Sequence, residues 1–555
     1  MKSHGFHILY SPRTGLDDAF IISGAFRRTD TSKATAVRIH ETMDEVSVAI
    51  FLTTLTSVLA FASGCLSSIP AVYWLCLYAI PTICFDLLFQ VTFYVALIVI
   101  DERRVKDKRK DCLVCFTAKG RQDDDEANEA SLKENSFDRC MVWYGDFILR
   151  PWVKGIVLLA FSGLLAGCTY SVSQLEQEFK FTDVVPKDSY VTTFWENFKA
   201  YTEQSGIFPF IYFRDVDQSN PSVQQQMENY VNDVIDLDQA SFQPAFFWLR
   251  DFKAFVNETN GIDMMNFNEQ MDVFLGVPVC RDLYKNDIVR DNSGNILRSR
   301  TSIRFDKVDQ EVIDKQITAL HDQSDVSAAQ LVNQNRKEWA FFTFDGVYYI
   351  WEFYSVVANE LTVNTLMGVI AVSLVSLIFI PHWSAVLFVF SITSVMYINL
   401  LGFLQFCGVK INAVSYISMV MSVGLIVDFL MHPLLRYFES KEEKRDDKIK
   451  DTLRTMGVSV LIGGISTFLG VLPLAFSTSQ IFFTIFITFI GLVTFGLTHG
   501  LILLPVLLSF FGPSGQIGET KTSLTDSSTA ERIDTTTGKQ DFQLGDTTSC
   551  ISDSA

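Results

Sequence analysis

The chain has 555 residues, of which 48% are hydrophobic, and its mean hydropathy of +0.23 is high for a water-soluble protein. Its formal net charge of −18 argues against a nucleic-acid binder, because such proteins need basic surface to neutralise phosphates. The apolar residues are gathered into long uninterrupted runs and do not recur at helical or strand period. These features predict an integral membrane protein.

Eight of the apolar runs are long enough to cross ~30 Å of hydrocarbon, which takes about 20 helical residues. Within lipid each run must be helical, because a backbone amide without a partner costs several kcal/mol there. The chain is therefore predicted to be a multi-pass protein of the plasma membrane or an endomembrane. In chain order the predicted spans are Val46–Leu66, Ala71–Ile100, Val153–Ser171, Val363–Pro381, Ser384–Phe406, Ile411–Leu435, Gly457–Phe476 and Ile481–Phe511.

The short connections between spans predict the orientation. Arg27–Arg38, Arg103–Lys110 and Arg436–Arg454 are rich in Lys and Arg and fall on one side, which is assigned to the cytosol. Both termini are then cytosolic, and the long segment Ser171–Glu360 faces the lumen or the exterior. Asn257 is the acceptor of that segment's one glycosylation motif.

The outer segment is predicted to be an α/β domain over residues 172–360. Strands and helices alternate in an order typical of a ferredoxin-like fold. The predicted elements are a strand at Ile207–Arg214, a helix at Ser222–Ile235, a strand at Ile296–Phe305, a helix at Gln310–Gln334 and a strand at Trp339–Trp351.

The remaining segments complete the predicted organisation. Residues 1–45 hold the remnant of a transmembrane helix and a cytosolic helix or loop, and 46–100 hold two spans. Residues 101–152 form a cytosolic linker before the span at 153–171. Residues 361–511 form a five-helix transmembrane bundle, and 512–555 form a disordered cytosolic tail, because Ser, Thr, Asp and Gly dominate it.

Two parts of the chain resemble each other. Gly15–Phe20 aligns with Gly424–Phe429 at an offset of 424 − 15 = 409 residues. In each copy a charged stretch follows, then a Thr-Met pair (Thr42–Met43 and Thr455–Met456), then a span bearing Ser and Thr. Parallel repeats of this kind are a known transporter design.

Carboxylates lie at the same depth in both copies. Asp428 interrupts an apolar run, which costs roughly 2.5–3.5 kcal/mol, so it is expected to face the bundle interior with a partner. His432 is one helical turn further on, and Asp17 and Asp18 match in the other copy. Adjacent carboxylates in low dielectric cannot readily both be charged, which suits a group that exchanges a proton or binds a cation. The alternative is a hydrogen-bonded clamp between helices.

Other polar residues within the spans are assigned structural roles. Asp86 and Gln90 share a helix face, and packing is favoured over function for both. His499 is interpreted as a satisfied buried histidine, with extension of the relay as the alternative. The sequence shows no metal-ligand spacing, no cofactor or nucleotide motif and no catalytic triad, so the protein is predicted not to be an enzyme and any transport to be gradient-driven or passive.

Three stretches resemble the Patched and Niemann-Pick type C family of resistance–nodulation–division proteins: Leu55–Ala79, Ser422–His432 and Thr498–Ser514. The first, continued through Phe85–Tyr94, resembles the end of that family's sterol-sensing domain. The resemblance implies twelve spans, two outer domains, and movement or sensing of sterols or other lipids. It also implies coupling to a proton or monovalent cation through acids that here map to Asp17, Asp18 and Asp428, although family members often carry Glu where Asp428 stands. His432 also fits the pattern.

The resemblance also implies that the first three helices and the first outer domain are absent. A truncated gene model or a fragment accounts for this better than a functional half-transporter, which would act as a homo-oligomer. The leading hypothesis is a cation-coupled sterol or lipid transporter in an incomplete copy. The alternatives are a non-transporting sterol- or ligand-responsive receptor or scaffold, and an inert fragment.

Overall fold

Long apolar helices dominate the computed structural model of the chain. The structure describes residues 18–107, 136–178, 185–186, 188–201, 207–240, 246–308 and 312–515. Asp17, most of the predicted cytosolic linker, and the predicted tail from residue 516 onward lie outside the described residues.

The described helices are α1 (18–28), α2 (Thr35–Gly64), α3 (Pro70–Lys106), α4 (Ser136–Ile148), α5 (Pro151–Val172), α6 (Tyr190–Tyr201), α7 (Pro221–Ile235), α8 (Trp248–Glu258), α9 (Phe267–Gly276), α10 (Pro278–Tyr284), α11 (Ile313–Ala329), α12 (Tyr348–Phe379), α13 (Trp383–Phe406), α14 (Ala413–Glu439), α15 (Arg445–Phe476) and α16 (Gln480–Phe511). The strands are β1 (Phe210–Arg214), β2 (Ile288–Arg290), β3 (Ile296–Ser302) and β4 (Phe341–Phe344).

Eight of these helices are long and apolar enough to cross a membrane, namely α2, α3, α5 and α12 to α16. This number confirms the eight predicted spans. Several helices begin well before the apolar run that predicted them, since a helix does not stop where lipid ends. Thus α2 starts at Thr35 and α12 at Tyr348.

Side-chain caps fix some of these starting points. At the start of α14 the Asn412 side chain accepts hydrogen bonds from the backbone N–H groups of Val414 (3.0 Å) and Ser415 (2.9 Å). The Ser415 hydroxyl in turn accepts from the Asn412 N–H at 2.8 Å, which completes a capping box. This cap sets where α14 begins, and therefore how deep its polar residues lie.

The α/β domain contains a four-stranded antiparallel sheet in the order β2-β3-β1-β4. With α7 following β1 and α11 following β3, this is the split βαβ topology of the ferredoxin-like fold. The predicted fold class is therefore confirmed. Its core is aromatic: the Phe213 ring meets Phe341 at a centroid distance of 5.0 Å, and Tyr230 of α7 shares a hydrogen bond of 2.7 Å with Ser327 of α11.

Two details of the predicted domain were wrong. The strand expected at Trp339–Trp351 ends at Phe344, because the chain turns where the Asp345 carboxylate accepts from the Val347 N–H (3.0 Å), and α12 begins. The prediction also missed the short helices α8 to α10 and strand β2, which lie between α7 and β3.

The helix α12 joins the domain to the membrane bundle without a break. Its first turns carry Tyr348 and Trp351, which are buried in the core of the α/β domain. The same helix then continues to Phe379 through the membrane-competent region. The domain and the bundle therefore share one rigid element.

Glycines allow close helix contacts beside Asp428. A side chain on Gly496 of α16 would place its first carbon 2.4 Å from the Phe429 ring, and one on Gly500 would lie 2.5 Å from the Phe429 carbonyl oxygen. Small residues four apart are a common device for close packing of membrane helices. Phe429 of α14 can therefore pack against α16 only because Gly496 and Gly500 have no side chain.

Substituting Gly496→Leu should force α14 and α16 apart, at a cost of about 1–3 kcal/mol or more from overpacking. The matched control is Gly163→Leu on α5, where no atom lies within 4 Å of the new carbon. The thermal unfolding midpoint of the detergent-solubilised protein should fall for the first variant and stay unchanged for the second. Equal midpoints would contradict the packing described.

The topology predicts which segments reach a glycosylating lumen. An acceptor motif engineered into the connection at residues 436–454, between α14 and α15, should remain unmodified because this connection lies at the end of α14 away from the α/β domain. The comparison is native Asn257, which is exposed on α8 of that domain. Glycosylation at either site is detected as a shift in gel mobility after glycosidase treatment. Modification of the 436–454 acceptor would contradict the assigned orientation.

Candidate functional site

Helices from the two copies of the repeat bring acidic and basic side chains together. Asp18 on α1 and His432 on α14 are both buried, at 3% and 4% exposure. The Asp18 Oδ1 lies 4.0 Å from the His432 Nε2, which is within electrostatic reach but too long for a direct hydrogen bond. The juxtaposition expected from the repeat is therefore present for Asp18, while Asp17 lies outside the described residues.

Asp428 lies one turn before His432 on the same helix and is also buried, at 8% exposure. The Ser57 hydroxyl of α2 donates a hydrogen bond of 3.4 Å to the Asp428 Oδ1. Ser57 is itself fully buried.

A small cavity adjoins Asp428 and His432. It offers about 10 Å³ to the centre of a water molecule, and one water needs roughly 10–15 Å³ on this measure. The Nδ1 atom of His432 is buried and has no hydrogen-bond partner among the described residues. A buried polar atom left in this way costs about 1–3 kcal/mol unless water or an ion satisfies it. The cavity is lined by Ile21, Asp428, Phe429, His432, Ser459 and Val460.

The chemistry of this arrangement follows from its surroundings. Two carboxylates and an imidazole share an apolar interior, where uncompensated charge is expensive. The groups must therefore hold a proton, a cation or each other's charge. Either a proton exchanged through one water or a small cation bound by the carboxylates fits the residues present.

Tyr94 of α3 holds α1 in place beside this site. Its hydroxyl lies 2.5 Å from the Ser23 Oγ and donates to the Ala19 carbonyl at 3.1 Å. Both partners lie on α1 after Asp18, within the next five residues. The apolar face of α1 packs against Val46 and Ile50 of α2 and against Met456 of α15.

The repeat seen in the sequence is visible in local geometry. The Thr42 hydroxyl donates to the carbonyl of Arg38 (2.8 Å), and the Thr455 hydroxyl donates in the same way to that of Asp451 (2.7 Å). Two π-helical turns, Gln90–Tyr94 and His499–Leu503, are related by 499 − 90 = 409 residues, the offset found for the acidic motifs.

The remaining predicted residues have roles different from that of this cluster. His499 is fully buried; its Nδ1 donates to the Phe495 carbonyl (2.8 Å), and its Nε2 accepts from the Asn399 amide (3.0 Å). Both ring nitrogens are thus used, as expected of a satisfied buried histidine. Asp86 is half-buried on α3, and Gln90 is buried at the start of the π-turn. Among the described residues, no group of three or more His, Cys, Asp or Glu could hold a metal ion.

Sequence reasoning missed Ser57, Ser459 and Tyr94. Ser57 belongs to a run of hydroxyl-bearing residues on α2, several of which bond their own helix carbonyls, as Thr53 and Thr54 do. Nothing in one sequence distinguishes the hydroxyl that faces Asp428 from its neighbours. Only the sequence repeat indicated that α1 contributes to the site, and nothing in the sequence indicated a role for Tyr94.

Comparison with known proteins identifies related sequences. Residues 13–118 match the family described as "Sterol-sensing domain of SREBP cleavage-activation". The chain is 27% identical to NPC intracellular cholesterol transporter 1 homolog 1b of Drosophila melanogaster, over 90% of this chain and 45% of that protein. It is 25% identical to Patched-related protein 9 of Caenorhabditis elegans, over 90% of this chain and 58% of that protein. The chain thus spans about half the length of these relatives.

A solved structure shares the fold. The cryo-EM structure of the hedgehog release protein Disp from the water bear Hypsibius dujardini matches with a TM-score of 0.64, over 90% of this chain and 62% of that chain, at 15% sequence identity. The relatives include both Niemann-Pick type C and Patched proteins. The chain is therefore similar to Niemann-Pick type C and Patched proteins over 90% of its length.

Proposed function

We propose that this protein moves sterols or related lipids within a membrane and that a proton or monovalent cation drives the movement. The observation that carries the proposal is the buried approach of Asp18 to His432 at 4.0 Å, beside Asp428. Ion coupling is assigned to Asp18, Asp428 and His432, and to Asp17 by its place in the repeat.

The coupling has a direct physical basis. The acids lie on α1 and α14, which belong to the two copies of the repeat, so the electrostatic energy between the copies depends on the charge held at the site. Protonation or cation binding changes that charge inside an apolar interior, where the change is large. A change in ion occupancy therefore favours one arrangement of the two helices over another.

The substrate class comes from the relatives. Two relatives in the comparison are named as intracellular cholesterol transporters, from Drosophila melanogaster and from pig, the latter 25% identical over 90% of this chain and 44% of that protein. The match to a sterol-sensing family over residues 13–118 supports the same class. Sterols or other lipids are therefore the proposed substrates, and the membrane is the proposed medium.

The substitution Asp428→Asn distinguishes an ion-coupling role of Asp428 from a purely structural role as a hydrogen-bonded clamp between helices. The amide keeps the size and hydrogen-bonding capacity of the carboxylate but cannot carry charge or exchange a proton. Sterol flux into vesicles with an imposed ion gradient should fall to the level seen without a gradient. Thermal stability should change little, because an interhelical hydrogen bond in a membrane is worth about 0.6 kcal/mol.

Asp86→Asn is the matched control, since it removes an intramembrane carboxylate on α3 that no part of the proposal uses. It should leave gradient-dependent flux unchanged. If Asp428→Asn keeps the wild-type gradient dependence, Asp428 is a structural clamp. If the wild-type protein shows no flux but binds sterol, the receptor or scaffold alternative replaces transport.

A further inference from the structure

A second polar cluster lies where the membrane helices meet the side of the α/β domain. We call it the domain-side cluster: Ser67, Ser68, Glu360, Asn364 and Tyr416. The Glu360 carboxylate accepts hydrogen bonds from the Ser68 N–H (3.2 Å) and hydroxyl (2.8 Å) and from the Asn364 amide (3.1 Å). Asn364 also donates to the Tyr416 hydroxyl (3.1 Å), which lies 3.4 Å from the Ser67 Oγ.

The cluster runs from the surface into the bundle. Ser68 is exposed and Glu360 is partly exposed, whereas Asn364 and Tyr416 are buried. Nearby, the buried hydroxyls of Thr365 and Tyr397 interact with each other.

A seam between α2 and α14 connects this cluster to Asp428. At its two ends polar groups face each other: Ser67 with Tyr416, and Ser57 with Asp428, each pair at 3.4 Å. The two ends are about 18 Å apart along α14 at 1.5 Å per residue. The seam therefore joins a surface carboxylate to the buried site.

The middle of the seam is closed by small residues and by the Phe61 ring. A carbon added to Gly64 would lie 3.6 Å from Val420, and one added to Gly424 would lie 3.3 Å from both the Ala60 methyl group and the Phe61 ring.

A third helix covers the same stretch. A carbon added to Gly368 of α12 would lie 3.0 Å from Val423 and 3.2 Å from the Ser63 hydroxyl. Since Glu360 and Asn364 are on α12 as well, one helix carries both the charged end of the cluster and the cover of the closed stretch.

We propose that the domain-side cluster is the vestibule through which a proton or monovalent cation reaches Asp428 from the side of the α/β domain. In this structure the vestibule is closed at Gly64, Ala60, Val420 and Gly424. The Glu360 carboxylate gives the vestibule its preference for cations. This inference rests on the proposed coupling role of Asp428 and adds the route by which the ion arrives.

Thiol labelling tests the route without measuring transport. In a cysteine-free background, Ser57→Cys is reconstituted in vesicles selected, by a tag on the α/β domain, to expose that domain to the bath. Small membrane-impermeant methanethiosulfonates, one cationic and one anionic, are then added. The cationic reagent should react faster. Glu360→Gln should lower the ratio of the two rates by about 25-fold, because one charge near contact distance in water speeds a cation and slows an anion by about fivefold each.

The control is Glu352→Gln, which removes an exposed carboxylate on the same helix outside the cluster and should leave the ratio unchanged. Ser67→Cys, at the outer end of the seam, should react in every background. Ala60→Cys, a small change in the closed stretch, replaces Ser57→Cys as the reporter if that variant fails to fold.

Two outcomes would overturn the route: reaction at Ser67→Cys but none deeper in the seam, or a rate ratio that Glu360→Gln does not alter. Failure here is distinct from failure of the coupling role. If Asp428→Asn abolishes gradient-dependent flux while the seam stays unreactive from the domain side, coupling stands and the ion arrives by another path.

Discussion

Burying carboxylates in the interior of a membrane bundle is the constraint around which the helices are arranged. Asp18 and Asp428 are each more than nine-tenths buried, and each would cost roughly 2.5–3.5 kcal/mol if it faced lipid. The bundle meets this cost with His432, the Ser57 hydroxyl and a cavity the size of one water.

The position of α14 follows from the same constraint. Its apolar window is 83% buried, compared with 0% for α5, so α14 lies at the centre of the bundle and α5 at its edge. Close approach requires small residues on its neighbours, and Gly496 and Gly500 of α16 provide it. The polar helix is thus surrounded by protein, while the helices that face lipid carry apolar side chains.

The sequence predicted those features that depend on run length or on repetition. Eight apolar runs correspond to eight helices, and the repeat at an offset of 409 residues predicted that Asp18 approaches His432. Features decided by tertiary contact were missed. The stretch after Phe341 is rich in aromatic residues throughout, and only the turn at Asp345 separates strand from helix. Likewise, the sequence does not distinguish among the hydroxyl-bearing residues of α2. Only the packing against α14 shows that Ser57 is the one that contacts Asp428.

The continuous helix α12 determines how the two parts of the molecule affect each other. Its first turns are held in the aromatic core of the α/β domain by Tyr348 and Trp351, so a displacement of the domain carries the helix with it. An unbroken ladder of backbone hydrogen bonds transmits such a displacement along the axis. Glu360 and Gly368 lie on that helix, the first bonded to Ser68 and the second packed against Ser63. Movement of the domain therefore acts directly on the seam that separates Asp428 from the domain side.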